Sequence, residues 1–202
     1  MSGIFNLEYP FIYLIMKKLI CVALFLLSLL SFNKETFAQF EYLGGGLSLA
    51  TGGEYKYDGL PYYNKSFGID IRTIYDYSKK IQFVPDFKFY LPNKEEFTTG
   101  GESKTTVFVL NINAHYILNS KTRNSYRLYL LGGAHIGGWN IKDNHTGALV
   151  VDVNTFKVVP GANAGAGMQF PLGSSAIFFA EVKYVIAKTN QLVFTPGIVF
   201  VL

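Results

Sequence analysis

From residue 40 onward apolar and polar positions alternate with a period of two, and no stretch carries a convincing 3.6-residue apolar repeat. The clearest run is Phe67-Gly68-Ile69-Asp70-Ile71-Arg72-Thr73-Ile74-Tyr75-Asp76-Tyr77, where odd positions are mostly apolar or aromatic and even ones mostly charged or small. The next run places Ile81, Phe83, Pro85, Phe87, Phe89 and Leu91 on one face, with Gln82, Asp86 and Lys88 on the other. Further runs cover Phe40–Thr51, Thr105–Leu118, Ser125–Asn140, Val158–Phe170, Ala176–Ile186 and Leu192–Leu202. The pattern predicts eight strands, typically ten to fourteen residues long, where ordinary globular strands have about five or six.

The connections alternate in length. Gly52–Asn64, Pro92–Lys104 and Ile141–Lys157 are long; Ser78–Lys80, Asn119–Asn124 and Pro171–Ser175 are short; only Ala187–Gln191 is short where a long one is due. Tight turns on one rim and longer loops on the other are the pattern of an all-β, antiparallel up-and-down transmembrane barrel. An even strand count closes the sheet, so that no backbone edge meets lipid. Pro160 and Pro196 fall inside predicted strands, so a bulge or a strand boundary is expected near each.

Alternation alone does not choose between this barrel and a soluble lipocalin-like one with its apolar face inward. Three features favour lipid outside. The polar face is rich in small or neutral residues, as at Gly44, Gly46, Ser48, Gly161, Asn163, Gly165, Gly167 and Gln169, which suits a crowded lumen. Its charges are matched: with Tyr77 opposite Ile81, Arg72 falls opposite Asp86 and Asp70 opposite Lys88, and opposite charges across a ladder stabilise one another. Arg127, Glu181 and Lys183 share that face by parity, as do Val107, Val109, Ile177 and Phe179. Aromatics gather near strand ends at Tyr75, Tyr77, Phe89, Tyr116, Tyr126, Phe170 and Tyr184, as interfacial girdles require.

Residues 1–38 read as a cleaved secretory leader, leaving 39–202 as the barrel domain. Met16-Lys17-Lys18 is the positive segment, Leu19–Phe32 is uncharged, and Thr36-Phe37-Ala38 offers a small residue for cleavage. Those fourteen uncharged residues reach about 21 Å as helix, short of the roughly 30 Å hydrocarbon core. Met16 then serves as the start, with residues 1–15 an upstream extension. Cys21 lies before most of the apolar segment, where a lipidated cysteine would follow it.

Composition narrows the class further. Half of the 202 residues are hydrophobic, 16% aromatic and 16% charged, with 20 Gly and one Cys; this excludes a disordered chain, a disulfide framework and a Cys-ligated zinc module. The net charge of +4 is scattered, and no Lys/Arg cluster marks a nucleic-acid face.

On these residues the chain resembles the eight-stranded outer-membrane barrel family of Gram-negative bacteria that includes OmpX and the transmembrane domain of OmpA. The final segment Leu192–Leu202 resembles the strand by which such barrels are recognised for assembly; Leu202 replaces the usual terminal Phe, with Phe200 on the same face. The resemblance implies an outer-membrane location, contact with membrane lipid and lipopolysaccharide, and handling by the barrel-assembly machinery. It implies a structural or surface-interaction role, with a narrow porin-like pore and then a lipid-modifying enzyme as alternatives; a soluble lipocalin-like periplasmic binding barrel is the rival at the level of the fold. Eight strands leave an interior just wide enough for side chains.

No catalytic, metal or cofactor site is expected. The histidine contexts His115-Tyr116-Ile117, His135-Ile136-Gly137 and His145-Thr146-Gly147 depart from the H-x-S of the deacylase barrels, and Gln39–Glu41 leaves no room for the amphipathic helix of the palmitoyltransferases. His115 and His135 face inward, but pairing across the 119–124 turn sets His135 opposite about Val109, some 20 Å from His115. Gly44-Gly45-Gly46 and Gly161–Gly167 lack the Lys-Ser/Thr of a phosphate loop. The expected features are a lumen network of Asp70, Arg72, Asp86, Lys88, Arg127, Glu181 and Lys183, and loop contacts through Tyr55, Tyr57, Tyr62 and Tyr63. Thr146–Phe156 is a second candidate contact segment. For the loop aromatics the alternative is packing of the loop on itself.

Overall fold

The structure, a computed structural model, describes residues 40–57, 60–96, 101–119, 126–145 and 152–202. The leader expected over residues 1–38 and the segment 146–151 lie outside the described residues. Eleven strands occur among the described residues: β1 (Phe40–Thr51), β2 (Gly53–Tyr57), β3 (Leu60–Asn64), β4 (Phe67–Asp76), β5 (Ile81–Tyr90), β6 (Asn93–Glu96), β7 (Gly101–Ile117), β8 (Arg127–His145), β9 (Asp152–Leu172), β10 (Ala176–Ala187) and β11 (Gln191–Val201). Eight of them form the wall in the order β5-β4-β1-β11-β10-β9-β8-β7, and β5 pairs with β7 to close it. All wall pairings are antiparallel. Strand β6 resumes the pairing with β7 after Leu91-Pro92, and β2 and β3 form a separate hairpin.

The sheet closes with its apolar face outward. Leu43, Leu47, Ile69, Ile71, Phe87, Leu110, Ile112, Leu130, Ile136, Val182, Ile186 and Phe194 are all exposed on the wall. In water such a continuous apolar surface would be a liability; in a bilayer it is the solvated face. At the rim that carries the short turns an aromatic girdle forms, with Phe40 against Tyr75, Tyr75 and Tyr77 against Phe83, and Tyr126 against Phe170. On β7 the belt from Tyr116 to Phe108 spans eight residues. That is about 27 Å along the strand and roughly 20 Å of height at the usual tilt, close to the band of such barrels.

The strands extend further than alternation predicts. Segments 92–104 and 141–157, expected as loops, are largely strand, and 52–64 contains the β2–β3 hairpin. Past the apolar belt the outward face carries exposed polar residues such as Lys94, Lys104 and Lys142 while Ser103 and Ile141 stay buried inside, so the apolar/polar contrast that marks period two fades although the backbone ladder continues. β9 consequently passes the end of β10, whose last partner is Gly161, and runs back to Asp152 beside β8 alone. Strands β6 to β9 thus form a wall standing past the rest of the barrel mouth.

The β4–β5 register agrees with the sequence: Arg72 is opposite Asp86 and Asp70 opposite Lys88. Across β7–β8 His135 lies opposite Asn111 and not Val109, a correction of two residues. Pro160 sits where β10 has already ended, with a partner on β8 only. Pro196 is different. No bulge forms there; the β1–β11 register is the same on both sides, with the ladder interrupted between Gly46↔Gly197 and Leu49↔Phe194. A missing N–H removes a ladder bond without shifting the strand.

Candidate functional site: the filled lumen and the loop-end mouth

Parity sends six ionisable side chains from three strands into the lumen. Asp70 and Arg72 come from β4, Asp86 and Lys88 from β5, Glu181 and Lys183 from β10, and each is between 0 and 2% exposed. At that burial a charge is tolerable only if paired and hydrogen-bonded. Arg72 Nε donates to Asp70 at 2.6 Å and Arg72 Nη1 to Glu181 at 3.0 Å. Lys88 Nζ donates to Asp70 at 2.5 Å, to Ser48 at 3.1 Å and to Thr195 at 3.3 Å. Lys183 Nζ donates to Asp86 at 3.2 Å. Three acids face three bases, so the layer is formally neutral.

Neutral side chains complete the layer. Asn111 and Asn113 donate to the two oxygens of Asp86 at 2.6 and 2.7 Å, and Asn163 donates to Asn111 at 3.2 Å. His135 Nδ1 lies 2.8 Å from Asn111 Oδ1, which fixes that nitrogen as the donor. Tyr129 donates to Glu181 at 3.2 Å while its ring stacks on His115 at 4.2 Å. His115 and His135 are set four residues apart along β7 by the observed register, about 13 Å. Sequence reasoning missed Ser48, Asn111, Asn113 and Thr195 as members; their parity on the Asp86 face was the available signal.

Arg127 stands apart from this layer. It lies at the turn end, 3.8 Å from Asp76 and about one-fifth exposed, with Gln82 bridging Asp76 and Gln169. Its parity is inward, but its height puts it at the mouth and not in the network.

Apolar layers lie on both sides of the ions. Toward the turns are Tyr42, Ile74, Val84, Ile177, Phe179 and Val199, together with Ile117, Tyr129 and Leu131. The Arg72 guanidinium rests 4.0 Å from the Phe179 ring centre. Two glycines make room: a Cβ at Gly167 would collide with the Tyr129 ring, and one at Gly197 with Phe179. Toward the loops are Val107, Val109, Trp139, Ile141, Val159, Val185 and Val193.

Tyr55 and Tyr62 belong to this last layer. They face each other across β2–β3 and are 6% and 2% exposed, so the expectation that they are offered to a partner is corrected. Tyr55 stacks on Trp139 at 5.7 Å, and Lys188 lies 5.0 Å from the Tyr55 ring. The hairpin closes the mouth because two tyrosines with apolar bodies gain more by burial against Trp139 than by exposure. The side chains of Tyr57 and Tyr63 lie outside the described residues. Trp139 is the chain's one tryptophan, which gives a clean measurement. Tyr55→Ala with Tyr62→Ala is expected to red-shift its emission and raise its quenching by iodide, while Tyr77→Ala at the outer girdle leaves both unchanged.

No protein-family profile matches the chain, and no curated protein matches its sequence. Solved structures do match. The attachment invasion locus protein Ail of Yersinia pestis, in complex with the heparin analogue sucrose octasulfate, is 14% identical with a TM-score of 0.55, covering 81% of this chain and 99% of its own. Neisserial surface protein A is 16% identical with a TM-score of 0.52, covering 79% and 95%. The outer membrane protein OprG of Pseudomonas aeruginosa is 12% identical with a TM-score of 0.54, covering 81% and 95%. A closed eight-stranded wall, an outward apolar belt and these likenesses agree: the chain has the fold of the small outer-membrane β-barrel proteins.

Proposed function

We propose that this protein is a non-conducting outer-membrane barrel, non-enzymatic, whose projecting loop-end wall serves as a surface for contact outside the cell. The observation that carries the reading is the lumen: a neutral layer of six buried ions between two apolar layers, with the mouth covered by the β2–β3 hairpin. A conducting pore needs a hydrated path, and ions in such a path would not be 0–2% exposed. The contact surface is the β6–β9 wall rather than the loop tyrosines, since Tyr55 and Tyr62 are committed to the mouth. Ail, of similar fold, has been solved with a heparin analogue, which fits a surface role for this architecture. The short turns face the periplasm and the wall faces outward, as in barrels of this kind.

Planar-bilayer recording tests the closed lumen. Purified protein is expected to insert without steady single-channel conductance, and open channels of porin size would overturn the reading.

A further inference from the structure

Just beyond the apolar belt, on the outward face of the projecting wall, three lysines stand side by side. Lys94 of β6 is opposite Lys104 of β7, and Lys104 is opposite Lys142 of β8. Inward positions on β7 and β8 are odd, as at Thr105 and Ile141, so Lys104 and Lys142 point away from the lumen, and all three are exposed. Like charges directly opposite one another across a ladder repel. One neighbour offsets part of this: Glu102, the next outward residue on β7, pairs with Lys94 at 2.9 Å. Lys104 and Lys142 have no ion pair among the described residues.

What lies beneath matters as much. Phe156, 59% exposed, is opposite Asn140, one outward position below Lys142, and Val158 and Phe108 are opposite Gly138 in the next row. Phe89 packs on Phe108 at 5.4 Å. The wall therefore offers an aromatic and apolar surface at bilayer height and two unpaired ammonium groups about 7 Å above it. That arrangement complements a lipid with acyl chains alongside the barrel and an anionic phosphate at the headgroup level. A soluble anion would use the lysines but not the surface below them.

We propose that Lys104 and Lys142, with Lys94 at the edge, bind the phosphate of a phosphorylated glycolipid in the outer leaflet. The site rests on the outer-membrane reading above and on the wall facing outward. A phosphate between strands turns a repulsive row into a bridged one, with charge-assisted hydrogen bonds from neighbouring ammonium groups.

The test uses the full barrel in phosphatidylcholine vesicles containing either bis-phosphorylated lipid A or the same glycolipid without phosphates. Lipid retained after mild detergent extraction is counted by native mass spectrometry for the wild type and for Lys104→Gln with Lys142→Gln. The wild type is expected to retain the phosphorylated lipid at least tenfold over the phosphate-free one, and the double variant to lose most of that preference. In neutral vesicles the variant is expected to unfold at no lower urea concentration than the wild type, because it has lost a repulsion. Equal retention of both lipids by both proteins would overturn the proposal. So would lysine-dependent binding of sucrose octasulfate with no preference for the embedded lipid, which would assign the row to a soluble polyanion. Failure of both proteins to give a heat-modifiable folded band would overturn the barrel reading itself, a result distinct from a folded barrel without lipid preference.

Discussion

Asp86→Ala is expected to lower the unfolding free energy of the barrel by about 3–5 kcal/mol, the usual cost of removing one partner of a buried ion pair. Asp86 accepts from Asn111, Asn113 and Lys183 and lies 3.6 Å from Lys88. Its loss leaves two amides without an acceptor and gives the neutral layer one excess positive charge. Lys183 then has only Glu181, at 3.8 Å, and Lys88 keeps Asp70. Urea unfolding in vesicles, followed by Trp139 emission, measures the loss. Combining Asp86→Leu with Lys183→Met is expected to recover more than half of it, since an apolar pair of similar volume often replaces a buried ion pair at little cost. If Asp86→Ala cost under about 1 kcal/mol, the pair would be behaving like one in contact with water, and the lumen would be a hydrated path.

That network shows where the sequence was legible and where it was not. The charge pairs of β4 and β5 follow from parity and a three-residue turn, Ser78–Lys80, which leaves almost no freedom in register. The longer connection 119–124 does not constrain register in the same way, so parity alone does not pair Asn111 with His135 although both lie on the inward face. Arg127 has the right parity and the wrong height; alternation reports a face but not a depth. The β2–β3 hairpin had a signal in Tyr57-Asp58-Gly59-Leu60, because Asp-Gly between strand-like runs favours a two-residue hairpin turn. The burial of Tyr55 and Tyr62 had none. It depends on Trp139 and Tyr90, which are distant in the chain and meet the hairpin only once the barrel closes. The lysine row was equally hidden, since Lys94, Lys104 and Lys142 are scattered in sequence and adjacent only through the ladder.

The second large effect concerns the outer face. Ile112 lies midway along the outward face of β7 between Tyr116 and Phe108, and it is 57% exposed. Its cross-strand neighbours are Pro85 and Ala134, neither of which offers a carboxylate. On a water-soluble barrel an arginine there would be harmless and would improve solubility. Facing hydrocarbon it must be desolvated or snorkel some distance to the interface, at about 2–4 kcal/mol near the midplane. Lys104, eight residues further along the same face and four beyond Phe108, is tolerated because it has left the membrane. Depth and not chemistry separates the two positions.

The most direct measurement is therefore the folding stability of Ile112→Arg against wild type in lipid vesicles, with Lys104→Arg as the control beyond the belt. A lipid-facing wall predicts a loss of about 2–4 kcal/mol for Ile112→Arg and almost none for Lys104→Arg. An Ile112→Arg barrel as stable as the wild type, or one that folds equally well in buffer without lipid, would contradict the account.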